Sequence, residues 1–450
     1  MAQTRSTILD KYFQLAANHT TVGTEVVAGL TTFLTLSYII FVQPAVLAAA
    51  GMDFGAVMVA TCLAGAFATL LMGLYANYPI ALAPAMGHNV YFAFIVCGAV
   101  TTGGLGFPWE TALGGVFVSG VLFLVLARFG FREKLLNAVP DCLKHAIAVG
   151  IGLLIAFIGL QWSGLVVGRS GMLVGLGDMG SRPVQLALSG LVIMAVFLAR
   201  GVRGSILWGI MATAILGMPL GLVRYMGLVS APPALHPTLL KLELAGLVSS
   251  SGLTVILIFF FLALFDTIGT LVGVSEQAGF IKDGRLPRAE KALVADAAGM
   301  TAGAVLGTST ITSYVESAAG VAVGGRTGLA SVVTAGCFLL ALFLSPLAKM
   351  VGGGVEGPSG VHLYPVIAPA LILVGSLMVR NVQKVSWDDP TEAIPAFLTM
   401  LIMPLALSIT DGLTFGLIAY TVLKFATGRQ KEAHWVIYVM SGALALRYLL

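Results

Sequence analysis

Charge is what this sequence is short of. Of its 450 residues only 10% are Asp, Glu, Lys or Arg, against roughly 25% in soluble domains. Between Tyr12 and Ala127 there is no Lys or Arg at all. A chain so poor in charge, and 58% hydrophobic, excludes an ordinary soluble domain and points to an integral membrane protein. Ten-residue segments of alternating polarity are missing too, which argues against a transmembrane β-barrel and leaves helices of about 20 residues as the spanning elements. The four Cys, at 62, 97, 142 and 337, have neither pairing nor metal-ligand spacing, so they read as small hydrophobes and no metal is expected. No Walker loop, nucleotide fingerprint or Ser-His-Asp arrangement is evident, which argues against an ATP-driven pump and against an enzyme. The net charge of +4 resides in loops between spans, so no nucleic-acid partner is expected. The first 24 residues are polar, and the apolar segment after them is too long for a signal core, so no cleavable signal peptide is expected.

What is there is a succession of apolar segments. They fall at 26–49, 55–76, 79–98, 110–127, 142–164, 184–199, 204–222, 250–275, 292–307, 308–325, 327–348, 361–379, 393–408 and 412–427. That pattern predicts an all-α polytopic membrane protein with fourteen transmembrane segments in the lipid bilayer. With the N-terminus inside, 18 Lys and Arg fall on inner segments and five on outer ones (Arg169, Arg182, Arg224, Lys241 and Lys349). This excess places both termini in the cytoplasm. The tail "HWVIYVMSGALALRYLL" is short for a fifteenth span, and Trp435, Tyr438, Arg447 and Tyr448 suit an interfacial helix.

The chain divides near residue 230 into a first repeat (26–222), a linker (223–249) and a second repeat (250–427), flanked by an N-terminal segment (1–25) and a C-terminal one (428–450). Each half has a third span that reads as an extended stretch followed by a half helix: "PIALAPAMGHNVYFAF" at 79–94 and "GTSTITSYVESAAGVAV" at 307–323. A shift of 227 residues lays Glu316 over Asn89. Seven spans per half is an odd number, so the second half is expected to lie inverted relative to the first. Inverted repeats with paired broken helices are a transporter design, with the substrate at the midplane between the breaks. Unwound backbone there must line a cavity or pack in protein.

Polar residues inside the spans mark the candidate site. Asp266 lies deep in the eighth span, where a carboxylate costs about 2.5–3.5 kcal/mol on insertion scales. It reads either as part of a substrate or proton path or as a packing hydrogen bond to a neighbouring hydroxyl. Glu316 follows Ser313 in an S-x-x-E pattern, so a capping box at the start of the half helix is one reading and a ligand contact another; the two are compatible. Asn89 offers a ligand both a donor and an acceptor, or ties the half helix to its neighbour. His88 beside it reads as a packing residue or a proton carrier. Asp411-Gly412 reads as a tight turn between two short spans, and Gly324-Gly325-Arg326 as a helix stop and orientation anchor.

Together "ALAPAMGHNVYFAF", "FDTIGTLVGVSEQAG", "GTSTITSYVESAAGVAVGGRTGL" and "ITDGLTFG" resemble the nucleobase/cation symporter-2 superfamily, specifically its AzgA-like purine permease branch, over nearly the whole chain. The resemblance implies two inverted seven-span repeats split into core and gate domains, with short antiparallel strands and half helices in spans 3 and 10. It implies a proton-coupled symporter importing a purine nucleobase across the cytoplasmic membrane by an elevator-type movement, as a possible homodimer, with the proton as coupling ion and no other cofactor. Substrate binding is then expected at Asp266, Glu316, Tyr314, Asn89, Val90, Thr267 and His88, and proton coupling at Asp266 or Glu316. The chemistry suits a flat, neutral heterocycle edged with N–H donors and ring or carbonyl acceptors. A carboxylate accepts such N–H groups when ionised and donates when protonated, and an aromatic face such as Tyr314, Tyr91 or Phe92 stacks on the ring.

This sequence departs from the family pattern where Gly-Met-Gly-x-Asn-Ala is expected. It reads Ala85-Met86-Gly87-His88-Asn89-Val90, and Val90 facing the pocket would shrink or reshape it. In the first span Gln43 stands before Pro44 where Asn is expected. That departure leaves open a same-fold transporter for a different heterocycle, and two further rival readings remain. An anion carrier on the same architecture is disfavoured by two acids without a neighbouring Arg or Lys. A channel or a non-transporting membrane protein is disfavoured because polarity concentrates at the two breaks rather than along a continuous lining.

Overall fold

The computed structural model describes residues 8–102, 104–128, 140–169, 172–281, 286–357 and 362–446. Of the basic residues counted above for orientation, Arg5, Arg132, Lys134, Lys282 and Arg285 lie outside the described residues, as do Arg447 and Tyr448 of the tail.

A short helix α1 (Ile8–Phe13) precedes the first span, which is built from α2 (Val22–Leu36) and α3 (Ile39–Ala48). Thr21 starts α2 by taking extended backbone and accepting the Thr24 N–H on its hydroxyl, which answers one of the orphan donors of a helix start. Asp53 does the same for α4 (Phe54–Leu71), accepting the Ala56 N–H at 2.7 Å. That helix runs on as a π-helical turn, Met72–Ala76, and stops at Asn77, which is left-handed (φ 53°). Asn tolerates that conformation better than most residues. Next come strand β1 (Leu82–Pro84) and half helix α5 (Met86–Val90), the latter prolonged by a π-helical turn over Tyr91–Val96.

The rest of the first half comprises α6 (Trp109–Arg128), α7 (Asp141–Trp162), the hairpin strands β2 (Val166–Arg169) and β3 (Met172–Leu176), α8 (Arg182–Ala199) and α9 (Ser205–Gly217). The second half opens with α10 (Ser250–Ala278) and α11 (Ala289–Leu306), followed by strand β4 (Ile311–Ser313) and half helix α12 (Ser317–Ala322). It continues through α13 (Gly328–Ala341), α14 (Ser345–Gly352), the paired strands β5 (Val355–Glu356) and β6 (His362–Leu363), α15 (Ala368–Met378), α16 (Pro390–Leu405), α17 (Ile409–Ala426) and α18 (Trp435–Leu446).

Seven helical stretches among the described residues are long and apolar enough to cross a membrane: 22–48, 54–76, 109–127, 141–162, 182–199, 251–275 and 328–352. The expected count of fourteen rests on the other seven segments. Each of these coincides with a further helix, or with a strand followed by a half helix. The tail is helical as α18 and packs on α17.

Asp411 and Gly412, expected at a tight turn, lie instead in the first turn of α17. The Ser408 hydroxyl is the N-cap and accepts the Asp411 N–H at 3.1 Å. The chain reverses earlier, around Leu407, which is left-handed (φ 50°). A Ser three residues ahead of an acid is a helix start, and here it outweighs the Asp-Gly turn signal.

The chain forms two compact units. One comprises residues 1–93, 107–128 and 192–353, the other 94–106, 129–191 and 354–450; each draws on both halves of the sequence. In the first unit α2 packs on α13, α13 on α4, α4 on α11, and α11 on α6, which also meets α10. Small residues permit these crossings: Gly73 and Gly328 touch backbone to backbone, and a Cβ on either would strike the other's carbonyl, as expected of helix pairs that associate by close contact in lipid. In the second unit α7 packs on α15, α16 and α17, around Ala146, Val149, Val385, Ala396 and Met400.

Candidate functional site

The site forms in the first unit, where β1 and β4 meet. They pair antiparallel, Leu82 with Ser313, Ala83 with Thr312 and Pro84 with Ile311. The ladder extends at both ends: Ala85 donates to the Thr310 carbonyl at 3.0 Å, and Tyr314 to the Ala81 carbonyl at 2.9 Å. Side chains satisfy the outer edges. The Thr69 hydroxyl bridges the N–H and carbonyl of Leu82, both at 2.9 Å, and the Ser317 hydroxyl accepts the Ala81 N–H at 3.0 Å. Unwound backbone deep in an apolar protein needs such partners for its polar groups. The shift of 227 residues carries Leu82 to Ser309, just short of the start of β4 at Ile311.

Three carboxylates surround β4. Asp266, on α10, accepts the Thr312 hydroxyl at 2.8 Å on Oδ2 and is partly exposed. Glu316, between β4 and α12, accepts the Tyr38 hydroxyl at 2.7 Å on Oε1 and is likewise partly exposed. Both acids lie within electrostatic reach of each other and of Tyr314. The Tyr314 hydroxyl donates to the Pro84 carbonyl, so its ring is fixed at the crossing of the two strands. Asp296, on α11, is fully buried and lies behind β4. It accepts the Thr267 hydroxyl at 2.9 Å on Oδ1, and the N–H and hydroxyl of Ser313 at 2.9 and 2.8 Å on Oδ2.

This arrangement corrects the capping-box reading of Ser313-Tyr314-Val315-Glu316. Ser313 is the last residue of β4 and its hydroxyl goes to Asp296, so it caps nothing. Glu316 itself occupies the N-cap position of α12, with helical dihedrals and no side-chain cap. Strand pairing holds Ser313 extended and turned toward α11, which overrides the local S-x-x-E pattern. Arg326 does act as a helix stop: its guanidinium donates to the carbonyls of Val321 and Gly325, both at 2.7 Å.

The remaining expected residues are placed as follows. Asn89 is fully buried on α5, and its Oδ1 accepts from the Ser309 hydroxyl. Gln43 donates to Thr308 and Ser309, both at 3.1 Å, so the departure in the first span joins the same buried polar cluster. His88 hydrogen-bonds the Leu262 backbone, and its buried Nε2 has no protein partner among the described residues. Val90 is 1% exposed, and Thr267 is turned to Asp296. Asp266, Glu316 and Tyr314 thus come together, while Asn89 and Thr267 hold protein partners.

Sequence reasoning missed Asp296 and Tyr38. Asp296 carried the same signal as Asp266, a carboxylate inside an expected span at 292–307. Tyr38 carried none, because its role comes only from a contact with a residue 278 positions away.

Comparison with known proteins agrees with this architecture. A model described as the permease family, Xan_ur_permease, matches residues 23–415. The adenine permease AdeP of Escherichia coli is 43% identical over 426 residues, covering 94% of this chain and 92% of AdeP. The guanine/hypoxanthine permease PbuG of Bacillus subtilis is 44% identical over 439 residues, covering 95% and 96%. Among solved structures, the transmembrane domain of the cyanobacterial bicarbonate transporter BicA superposes with a TM-score of 0.60 at 16% identity, covering 88% of this chain and 97% of that one; at that identity the likeness concerns the fold alone. The chain therefore belongs to the permease family, within the nucleobase/cation symporter-2 superfamily, and is a membrane-embedded transporter rather than an enzyme.

Proposed function

We propose that this chain is a proton-coupled symporter that imports a purine nucleobase, such as guanine, hypoxanthine or adenine, across the cytoplasmic membrane. The observation that carries the substrate class is that relatives 43–44% identical over nearly their whole length are named for adenine and for guanine and hypoxanthine. The chemistry of the site supports it. Asp266 and Glu316 each receive a hydroxyl on one oxygen, which leaves the other oxygen to accept N–H groups of a planar base. Tyr314 lies near both and offers a ring face. His88 and Val90 shape the wall from α5, while Thr267 and Asn89 act through the partners they hold. Protonation turns either carboxylate from acceptor to donor, so one group couples proton and base binding.

In this reading the chain crosses the membrane fourteen times as two inverted repeats, with both termini in the cytoplasm. The unit bearing Asp266 and Glu316 is the core that moves, elevator-fashion, against the other as gate, and two copies associate. The likeness to a bicarbonate transporter does not extend to cargo. Two carboxylates whose side-chain partners are hydroxyls suit a neutral N–H donor better than an anion.

The test is uptake of radiolabelled adenine, guanine, hypoxanthine, xanthine and uracil by cells expressing the protein. Uptake of at least one purine is expected, collapsing with a protonophore and with Asp266→Asn or Glu316→Gln. No uptake of any base by correctly inserted protein would sink the proposal.

A further inference from the structure

Helix α2 presents one edge to the second break along its whole length. Glu25, Ala28, Thr32 and Thr35 recur at helical spacing, and Tyr38 follows at the junction with α3. At one end Glu25 is fully buried and accepts the backbone N–H groups of Arg326, Thr327 and Ala330 at 2.8, 3.2 and 3.2 Å. Its charge therefore answers the positive start of α13. In the middle Gly320 of α12 lies so close that a Cβ would collide with the Thr32 hydroxyl and come within 2.8 Å of the Ala28 carbonyl. At the other end the Thr35 hydroxyl, bonded chiefly to the Thr32 carbonyl at 2.8 Å, reaches the Glu316 carbonyl at 3.3 Å. The Tyr38 hydroxyl meets Glu316 Oε1 at 2.7 Å. Each step along α2 thus fixes the next part of the segment from Glu316 to Ala330.

We propose that Tyr38 is a positioning residue for ligand recognition, holding Glu316 Oε1 so that Oε2 alone is presented, with the α2 edge as the rail that keeps Glu316 in register. The assignment rests on the reading of Glu316 as a base-binding carboxylate. A glutamate has three rotatable bonds, and ordering it on ligand arrival would cost conformational freedom. A tyrosine has two, and Tyr38 is only 1% exposed, so its hydroxyl is a fixed point. An O–H group donating to a carboxylate makes a strong, short bond, which gives Glu316 one preferred rotamer before the base arrives. Preorganisation of this kind raises affinity without adding a contact to the ligand.

The test compares wild type with Tyr38→Phe, which removes only the hydroxyl. Uptake of radiolabelled guanine, hypoxanthine and adenine is measured against concentration, with membrane abundance and thermal unfolding in detergent recorded alongside. The Michaelis constant is expected to rise about tenfold, the scale of one hydrogen bond to a charged group, with maximal rate, abundance and unfolding temperature unchanged. Guanine affinity by thermal shift completes a double-mutant cycle, in which Tyr38→Phe adds no loss once Glu316→Gln is present. An unchanged Michaelis constant with a reduced maximal rate, or additive losses in the cycle, overturns the assignment and leaves the transport reading standing. Wild type that neither takes up nor binds any of the three bases overturns both. Should Tyr38→Phe not reach the membrane, Thr35→Val decides instead: a smaller rise in the Michaelis constant supports the rail, and no rise refutes it.

Discussion

The two breaks share a frame and differ in what they leave open. Each is a three-residue strand followed by a short helix, and the two strands pair with each other. Every residue from Tyr78 to Ala93 is buried, and of the polar side chains there Asn89 is bonded to Ser309, while His88 keeps a buried Nε2 without a protein partner among the described residues. The second break leaves Glu316 partly exposed and Val315 61% exposed, with buried Tyr314 and the partly exposed Asp266 nearby. The same backbone device thus serves in one case as a buried support and in the other as a face. A carboxylate belongs on the face because its second oxygen can stay solvated until a ligand replaces the water, whereas an amide on the support can be satisfied entirely by protein.

Exchanging the chemistry of the two breaks should produce opposite phenotypes. Glu316→Gln is expected to lower uptake more than a hundredfold while thermal unfolding in detergent is little changed, because in the proposed function the residue works on the ligand. Asn89→Ala is expected to lower the unfolding temperature and membrane abundance, because it strips a partner from the buried Ser309 and Gln43 cluster. Equal loss of stability in both variants would erase the distinction.

Asp296 tests what holds the second break from behind. It receives three hydrogen bonds, two from Ser313. Asp296→Ala leaves the Ser313 N–H without its acceptor, and such a loss costs about 1–3 kcal/mol per buried group. A thermal melt should show the loss, and uptake should fall in proportion to the protein that remains folded. Retained stability with abolished transport would move Asp296 from a structural role to the proton path.

A smaller effect is expected at Val90. Removing its two methyl groups by Val90→Ala should shift preference among adenine, guanine and hypoxanthine by severalfold, the low end of the roughly 1–3 kcal/mol that a methylene in a pocket wall is worth. Competition uptake reads this directly, and an unchanged ranking would place Val90 away from the ligand.

The smallest effect concerns a control region in the other unit, remote from both breaks in sequence. Asp389 accepts the hydroxyl and N–H of Thr391 and a bond from Arg429, and its carboxyl is held down to about 2. Glu432 is held down to about 2 by Arg429 and then Lys424. Both folded values lie below the ordinary carboxylate range, about 4. The stabilisation is therefore full above about pH 4 and lost as the pH falls through about 2. Acid melts of the wild type should show this loss, and Arg429→Ala should flatten it while leaving base affinity at neutral pH unchanged.

Much of the candidate site was legible in the sequence, and the reason is energetic. Asp266 and Glu316 stand out because an acid in an apolar segment is costly and needs a purpose. The two extended-then-helical segments could be seen because small, hydroxyl and β-branched residues interrupt long apolar helices. Partnership could not be read in the same way. Ser313 and Glu316 have the spacing of a capping box, yet strand pairing turned Ser313 to Asp296. Asp411 looked like a turn, and Ser408 made it a helix start. Tyr38 was silent because nothing near it in sequence reports on a residue that only the fold brings alongside.

The pairing of Leu82–Pro84 with Ile311–Ser313 also bears on how the molecule is made. A ribosome delivers β1 more than two hundred residues before its partner. Until then the donors and acceptors of β1 have no strand to meet, in surroundings where water is scarce. Closing so long a loop is slow and entropically unfavourable until the contacts form. The candidate site is therefore among the last features of the newborn chain to appear. A chain truncated before Ile311 should be left with an open strand edge inside the membrane, a defect of the sort that surveillance proteases can detect.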